Sequence, residues 1–101
     1  MVQEITDVSQ LPQGGKVVID FHATWCGPCK RIAPVYVELS EKYPKISFFK
    51  VDVDQAQALS EEFSIESLPT FVIIHNGNIM KRIEGADLKA LIAVIDQLEK
   101  A

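Results

Sequence analysis

Cysteine is scarce in this chain: of 101 residues only Cys26 and Cys29 are cysteines, three positions apart. That excludes a disulfide-stapled scaffold, which needs several bridges, and a four-cysteine metal knot. No apolar run approaches the roughly 18 residues of a membrane-crossing helix, so no membrane association is expected. Basic residues are the minority, 10 against 14 acidic, for a net charge of -4. Without a basic stripe to neutralise phosphates, no nucleic-acid partner is expected. Residues Met1 to Ile5 carry no leader pattern and Leu98 to Ala101 no retention or prenylation signal, so a cytoplasmic location is expected. Repeats and low-complexity segments are also lacking.

What remains is an ordinary globular composition, 48% hydrophobic and 24% charged. The length suits one modest core, so residues 1–101 are expected to form a single domain.

The two cysteines end an apolar run and frame the stretch Trp25-Cys26-Gly27-Pro28-Cys29. Residues i and i+3 share a face of a helical turn, so the two sulfurs can close and reopen a disulfide. Pro28 suits the first turn of a helix, whose leading N–H groups lack partners, so a helix is expected to start at or next to Cys26. Those N–H groups and the helix dipole stabilise a thiolate, lowering the ordinary cysteine pKa of about 8.5 by one to several units. Cys26 is therefore the expected nucleophile. Cys29, one turn in with its sulfur toward the protein, is the expected resolving thiol.

Zinc is the competing reading. The chain has His22 and His75 to complete a four-ligand set, but His22 lies only four residues before Cys26 and His75 lies far off beside a turn. Neither has finger spacing, so redox chemistry is favoured and no metal site is expected.

Along the chain, Val2 to Ile5 reads as an edge strand, followed by a short helix with Thr6-Asp7 as cap, ended by Pro12 and Gly14-Gly15. Residues 16–23 form a nearly continuous apolar run, the pattern of a strand covered on both faces, with Asp20 inside it. A helix runs from the cysteines to about Tyr43, bent near Arg31 to Pro34 by its interior proline. The strand Ile46 to Val53 places Phe49, Val51 and Val53 on one face and Ile46, Phe48 and Lys50 on the other. Asp54 is the expected cap of a helix through Phe63. Phe71 to Ile74 and Ile79 to Glu84 form a hairpin turned by Asn76-Gly77, with Lys81 and Arg82 on the edge strand. Asp87 caps a last helix with Leu88, Leu91, Ile92, Ile95 and Leu98 on its apolar face. The order implies an α/β chain with parallel crossovers and one antiparallel hairpin.

The segments Val18 to Phe21, Ala23 to Lys30, Pro34, Lys50 to Asp54, Leu68 to Phe71, Asn76-Gly77 and Gly85-Ala86 resemble the thioredoxin family along essentially the whole chain. The resemblance implies the thioredoxin fold, a central mixed five-stranded sheet flanked by four helices, the first short. It implies a general protein-disulfide reductase working by dithiol-disulfide exchange, recharged by an NADPH-dependent thioredoxin reductase. Its clients would be disulfide-containing proteins such as peroxiredoxin-type enzymes, and the chain would work as a monomer with no cofactor.

The resemblance also implies roles. Cys26 attacks and Cys29 resolves, as helix position suggests independently. Asp20 becomes the proton acceptor or donor for Cys29, tuned by Lys50. Strand pattern alone favours a structural ion pair between these two; the motif around them shifts the balance toward the proton role, since desolvation raises a carboxyl pKa toward neutrality. Pro69 matches the family's cis-proline, and Trp25, Gly27, Pro28, Leu68, Gly85 and Ala86 match the apolar groove around the nucleophile. Pro28 between the cysteines matches the reducing members.

Two residues depart from the family pattern. His22 stands where an aromatic is common, on the face of Asp20 by period-2 geometry, and reads as a half-exposed filler more than a titrating neighbour. Glu84 stands beside the groove where an uncharged residue is usual and would disfavour acidic substrates. The reading from another class is a thioredoxin-fold binding module or holdase subunit with an incidental dithiol, against which Cys26, Cys29, Asp20 and Pro69 argue.

Overall fold

Strand β2 (Lys16–His22) lies at the centre of the sheet, which is why Val17 through Phe21 are buried without a break. The computed structural model describes residues 1–101. The remaining strands are β1 (Val2–Glu4), β3 (Ser47–Asp52), β4 (Thr70–His75) and β5 (Asn78–Glu84), in the spatial order β1-β3-β2-β4-β5. β3 runs parallel to both β1 and β2, whereas β4 is antiparallel to β2 and to β5. The sheet is therefore mixed, as expected, but only two of the three crossovers are parallel: the chain leaving β3 returns through α2 to a β4 that runs antiparallel to β2 and β3.

Three α-helices cover it: α1 (Gly27–Lys42), α2 (Gln57–Glu62) and α3 (Leu88–Lys100). β-strand side chains alternate between faces, so each strand feeds two cores. On one face Val18, Phe48, Phe71 and Ile73 pack against Ile32, Tyr36 and Leu39 of α1 and Leu91, Ile95 and Leu98 of α3. On the other, Ile19, Phe21, Val51 and Val72 meet Ile5, Ala56 and Leu59. Fully burying a side chain of this size contributes roughly 1.5–3 kcal/mol, so the two layers hold the sheet from both sides.

Local chemistry sets the ends of these elements. Asn76 and Gly77 both adopt positive φ, 51° and 84°, the geometry of a tight hairpin turn between β4 and β5. Asp87 caps α3 by accepting a hydrogen bond from the Ala90 amide at 3.1 Å. Pro34 is accommodated inside one unbroken helix.

Three further expectations are corrected. The first crossover holds no α-helix, only a single 3-10 turn at Val8–Gln10, so three helices and a turn replace four helices. Asp7 accepts from the Ser9 amide, and Gln10 reaches back to the Asp7 amide, which closes the turn on itself. Leu11, immediately before Pro12, is extended at φ -82°, ψ 138°, because proline disfavours helical backbone in the preceding residue.

Asp54 does not cap α2. That helix starts after Ala56 with no side-chain cap, while the Asp52 carboxylate accepts from the Asp54 amide at 2.9 Å and ties up the turn. Ile92, assigned to the apolar face of α3, is 39% exposed; Val94 takes the core place instead.

Candidate active site

Cys26 is the N-cap of α1, with an extended backbone at φ -87°, ψ 109°. Gly27 opens the helix and Pro28 follows in the first turn, where its missing N–H leaves no intrahelical bond unmade. The next amide, that of Cys29, donates to Cys26 Sγ at 3.2 Å. A sulfur in this position faces the unpaired donors of a helix start, which favour negative charge. The two cysteines form a disulfide, with Cα atoms 5.3 Å apart.

In this oxidised form the two sulfur-bearing residues are equally hidden, Cys26 at 5% exposure and Cys29 at 4%. What separates them is the surface each one borders. Cys26 lines a groove of 490 Å³ with Trp25, Gly27, Pro28 and Leu68, joined by Ile65 and Glu66. Cys29 lines a different groove, of 700 Å³, with Asp20, His22, Tyr36 and Lys50. The two grooves have no lining residue in common.

Trp25 is 68% exposed, yet its indole N–H donates to Asp54 Oδ2 at 2.8 Å, which fixes the ring over the groove mouth. Asp54 is thus a site residue that strand and helix patterns assigned to the wrong task. The Leu68-Pro69 peptide bond is cis. Thr70 Oγ1 donates to the Ser67 carbonyl at 2.6 Å, and the Gly85 amide donates to the Pro69 carbonyl at 2.8 Å. Gly85 has φ 99°, a conformation that side chains rarely adopt. Pro69 and Gly85 therefore sit together, but neither lines the 490 Å³ groove. Ala86 borders a separate depression of 180 Å³ with Pro28. Glu84 is exposed, in register with Thr70 and 3.9 Å from the Arg82 guanidinium.

Arg82 is a second residue that sequence reasoning placed only on an edge strand. Its guanidinium donates to the carbonyls of Phe63 and Ser64, the latter at 2.6 Å. It anchors the segment that carries Ile65, Glu66 and Leu68 into the groove wall.

Beneath α1, Asp20 is 4% exposed, and its Oδ1 has no hydrogen-bond partner. Burial pushes its carboxyl from 3.8 up to about 7, partly offset by the positive charge of Lys50. Lys50 faces Asp20 in register on the neighbouring strand. Tyr36 forms the floor, its hydroxyl donating to the carbonyls of Phe49 at 2.7 Å and Val18 at 3.2 Å; burial first, and Asp20 second, raise its pKa. His22 is half-buried and held below the ordinary imidazole pKa by desolvation, with Asp52 and Glu4 opposing and Lys50 assisting. No three His, Cys, Asp or Glu side chains converge as a metal set.

The decisive comparison is with protein families: the thioredoxin family model matches residues 4–97. The chain belongs to the thioredoxin family. Among thioredoxin relatives, thioredoxin H5 of Arabidopsis thaliana is 51% identical over 70 residues, 69% of this chain and 59% of that protein. The matched part is thus less than two thirds of the Arabidopsis protein. Thioredoxin 1 of Plasmodium falciparum is 42% identical over 101 residues, covering 96% of this chain and 97% of that one. The crystal structure of thioredoxin from Malassezia sympodialis superposes with a TM-score of 0.90 at 43% identity, covering 98% and 91% of the two chains. The thioredoxin fold is therefore that of the present chain, and its two cysteines form a disulfide within it.

Proposed function

We propose that the protein is a general protein-disulfide reductase that uses Cys26 as nucleophile and Cys29 as resolving thiol. The observation that carries this reading is the Cys29 amide directed at Cys26 Sγ from the start of α1. In the reduced protein the Cys26 thiolate attacks a client disulfide. A Cys26–client bond forms, the client S–S bond breaks, and the first client sulfur leaves with the electron pair. Cys29 then attacks Cys26 Sγ. As its thiol gives up its proton to the Asp20 carboxylate, the Cys26–Cys29 bond forms and the second client sulfur leaves. The client gains two electrons and the protein loses two.

Asp20 suits the proton role because it is buried near Cys29 with a carboxyl raised to about 7, where gaining and losing a proton are both accessible. Lys50 limits how far that rise goes. Trp25, Gly27, Pro28 and Leu68 form the client groove, and Pro69, Gly85 and Ala86, outside its lining, supply further client contacts. An NADPH-dependent thioredoxin reductase restores the dithiol, and clients include peroxiredoxin-type enzymes. The chain acts in the cytoplasm as a monomer; no helix is long and apolar enough to cross a membrane.

The binding-module alternative is not favoured, because family and cysteine pair both point to exchange chemistry. The test is insulin reduction by the reduced protein, followed as precipitation of the released chains. The wild type accelerates it and Cys26→Ser does not; turnover retained in that variant would overturn the nucleophile assignment.

A further inference from the structure

Two polar atoms in the molecule's interior share a groove and lack partners. Asp20 Oδ1 and His22 Nε2 are both shielded from solvent and unbonded to any protein group. Both residues line the 700 Å³ groove beneath α1, together with Cys29. They stand two residues apart on β2, on one face, so their backbones are separated by roughly 6.6 Å. That is too far for a direct bond between short side chains held perpendicular to the sheet, and wide enough for a water. A buried polar atom without a protein partner is ordinarily satisfied by ordered water where the site is polar and roomy.

We propose that His22 is a proton relay between Asp20 and solvent, acting through water held in this groove. The proposal rests on the reading of Asp20 as proton acceptor for Cys29. His22 is suited to the task by its position: Nε2 is shielded within the groove while the residue as a whole is half-buried, between interior and solvent. When Cys29 attacks, its proton passes to the Asp20 carboxylate. From the resulting carboxyl it moves through water to Nε2, and the imidazolium so formed releases a proton to solvent. Asp20 is left ionised, ready to accept a proton when Cys29 next resolves a mixed disulfide.

The charged and titratable groups around this path come from two neighbouring strands and a helix. Asp52 and Lys50 on β3 and Glu4 on β1 act on the ring from the sheet. Cys29, Lys30, Tyr36 and Glu41 line the groove from α1. Desolvation outweighs the two carboxylates and keeps the ring neutral near pH 7, the form that can accept a proton. The client groove shares no lining residue with this one, so a client side chain seated against Cys26 does not occupy the space the relay uses.

A chromophoric aryl disulfide tests the relay, since attack by Cys26 releases one aryl thiolate and resolution by Cys29 the second. His22→Gln keeps a polar side chain with no titration near neutrality. Its second phase is expected to slow about tenfold at pH 7 in dilute buffer, less than for loss of a primary acid-base group. The pH profile should change, and added imidazole should restore the rate in His22→Ala. A His22→Gln second phase with wild-type rate and pH profile overturns the relay, as does slowing that imidazole leaves untouched with an unchanged profile, which marks a structural role. Asp20→Asn run in parallel separates the two readings. If it slows the second phase while the His22 variants do not, only the relay fails. If it leaves the second phase unchanged, the Asp20 assignment fails and the relay with it.

Discussion

Asp20 and Lys50 lie directly opposite one another on adjacent parallel strands, yet no ion pair within 4.0 Å joins them. The lysine tempers the buried carboxyl from a distance without neutralising it, and Asp20 Oδ1 is left without a partner. An ion pair would have held the carboxylate ionised. The observed arrangement keeps a proton on it up to neutral pH.

Stability should therefore depend on pH through Asp20. Its folded pKa, about 7, lies above the ordinary 3.8, so the folded chain holds this proton more tightly than the unfolded chain. Below about pH 4 both states are protonated and nothing is lost. Between about pH 4 and 7 the wild type loses stability as pH rises, by up to roughly 4 kcal/mol, and the loss is complete above the folded pKa. Asp20→Asn escapes this loss. In urea unfolding of the oxidised proteins, the variant should gain on the wild type as pH is raised from 4 to 8; a difference that does not vary with pH would refute a raised carboxyl.

Replacing Cys29 by serine should trap clients. Attack by Cys26 still proceeds, but no second thiol can release the mixed disulfide. Incubation of reduced Cys29→Ser with a disulfide protein should give a covalent adduct on a non-reducing gel that dithiothreitol dissolves. Absence of any adduct would reverse the division of labour between the two sulfurs.

Arg82→Ala should weaken protein clients more than small ones. The guanidinium bonds to the Phe63 and Ser64 carbonyls hold the segment leading to Ile65, Glu66 and Leu68. Hydrogen bonds of this charged kind contribute about 1.5–3 kcal/mol when buried, and less here because the side chain is partly exposed. The expected result is a several-fold rise in KM for a protein disulfide, with the rate toward a small aryl disulfide within about twofold of wild type. Equal effects on both substrates would show that the anchor does not shape the groove.

Most elements were legible in the sequence because their signals are local. The Asn76-Gly77 turn, the Asp87 cap and the uninterrupted apolar run of β2 need only their neighbours in the chain to declare themselves. Cys26 at the helix start follows from Pro28 in the same way. The tasks of Asp54 and of the Arg82 guanidinium were not legible, for the opposite reason, although Arg82 does lie on the edge strand as expected. Asp54 bonds to an indole 29 residues earlier, and Arg82 reaches carbonyls 18 and 19 residues back, contacts that only the assembled sheet creates. The cis bond at Pro69 has no local signature; only the likeness to the family suggested it. The first crossover was overestimated because Thr6-Asp7 gives the same cap signal for one turn as for two, and Pro12 decides the matter.

The two separate grooves also bear on inhibition. A small ligand lodged beneath α1, against Tyr36, Asp20 and Lys50, would not compete with a client seated against Trp25 and Cys26. Such a compound would depress kcat at saturating client and leave KM largely alone, whereas one bound over Cys26 would be displaced by excess client.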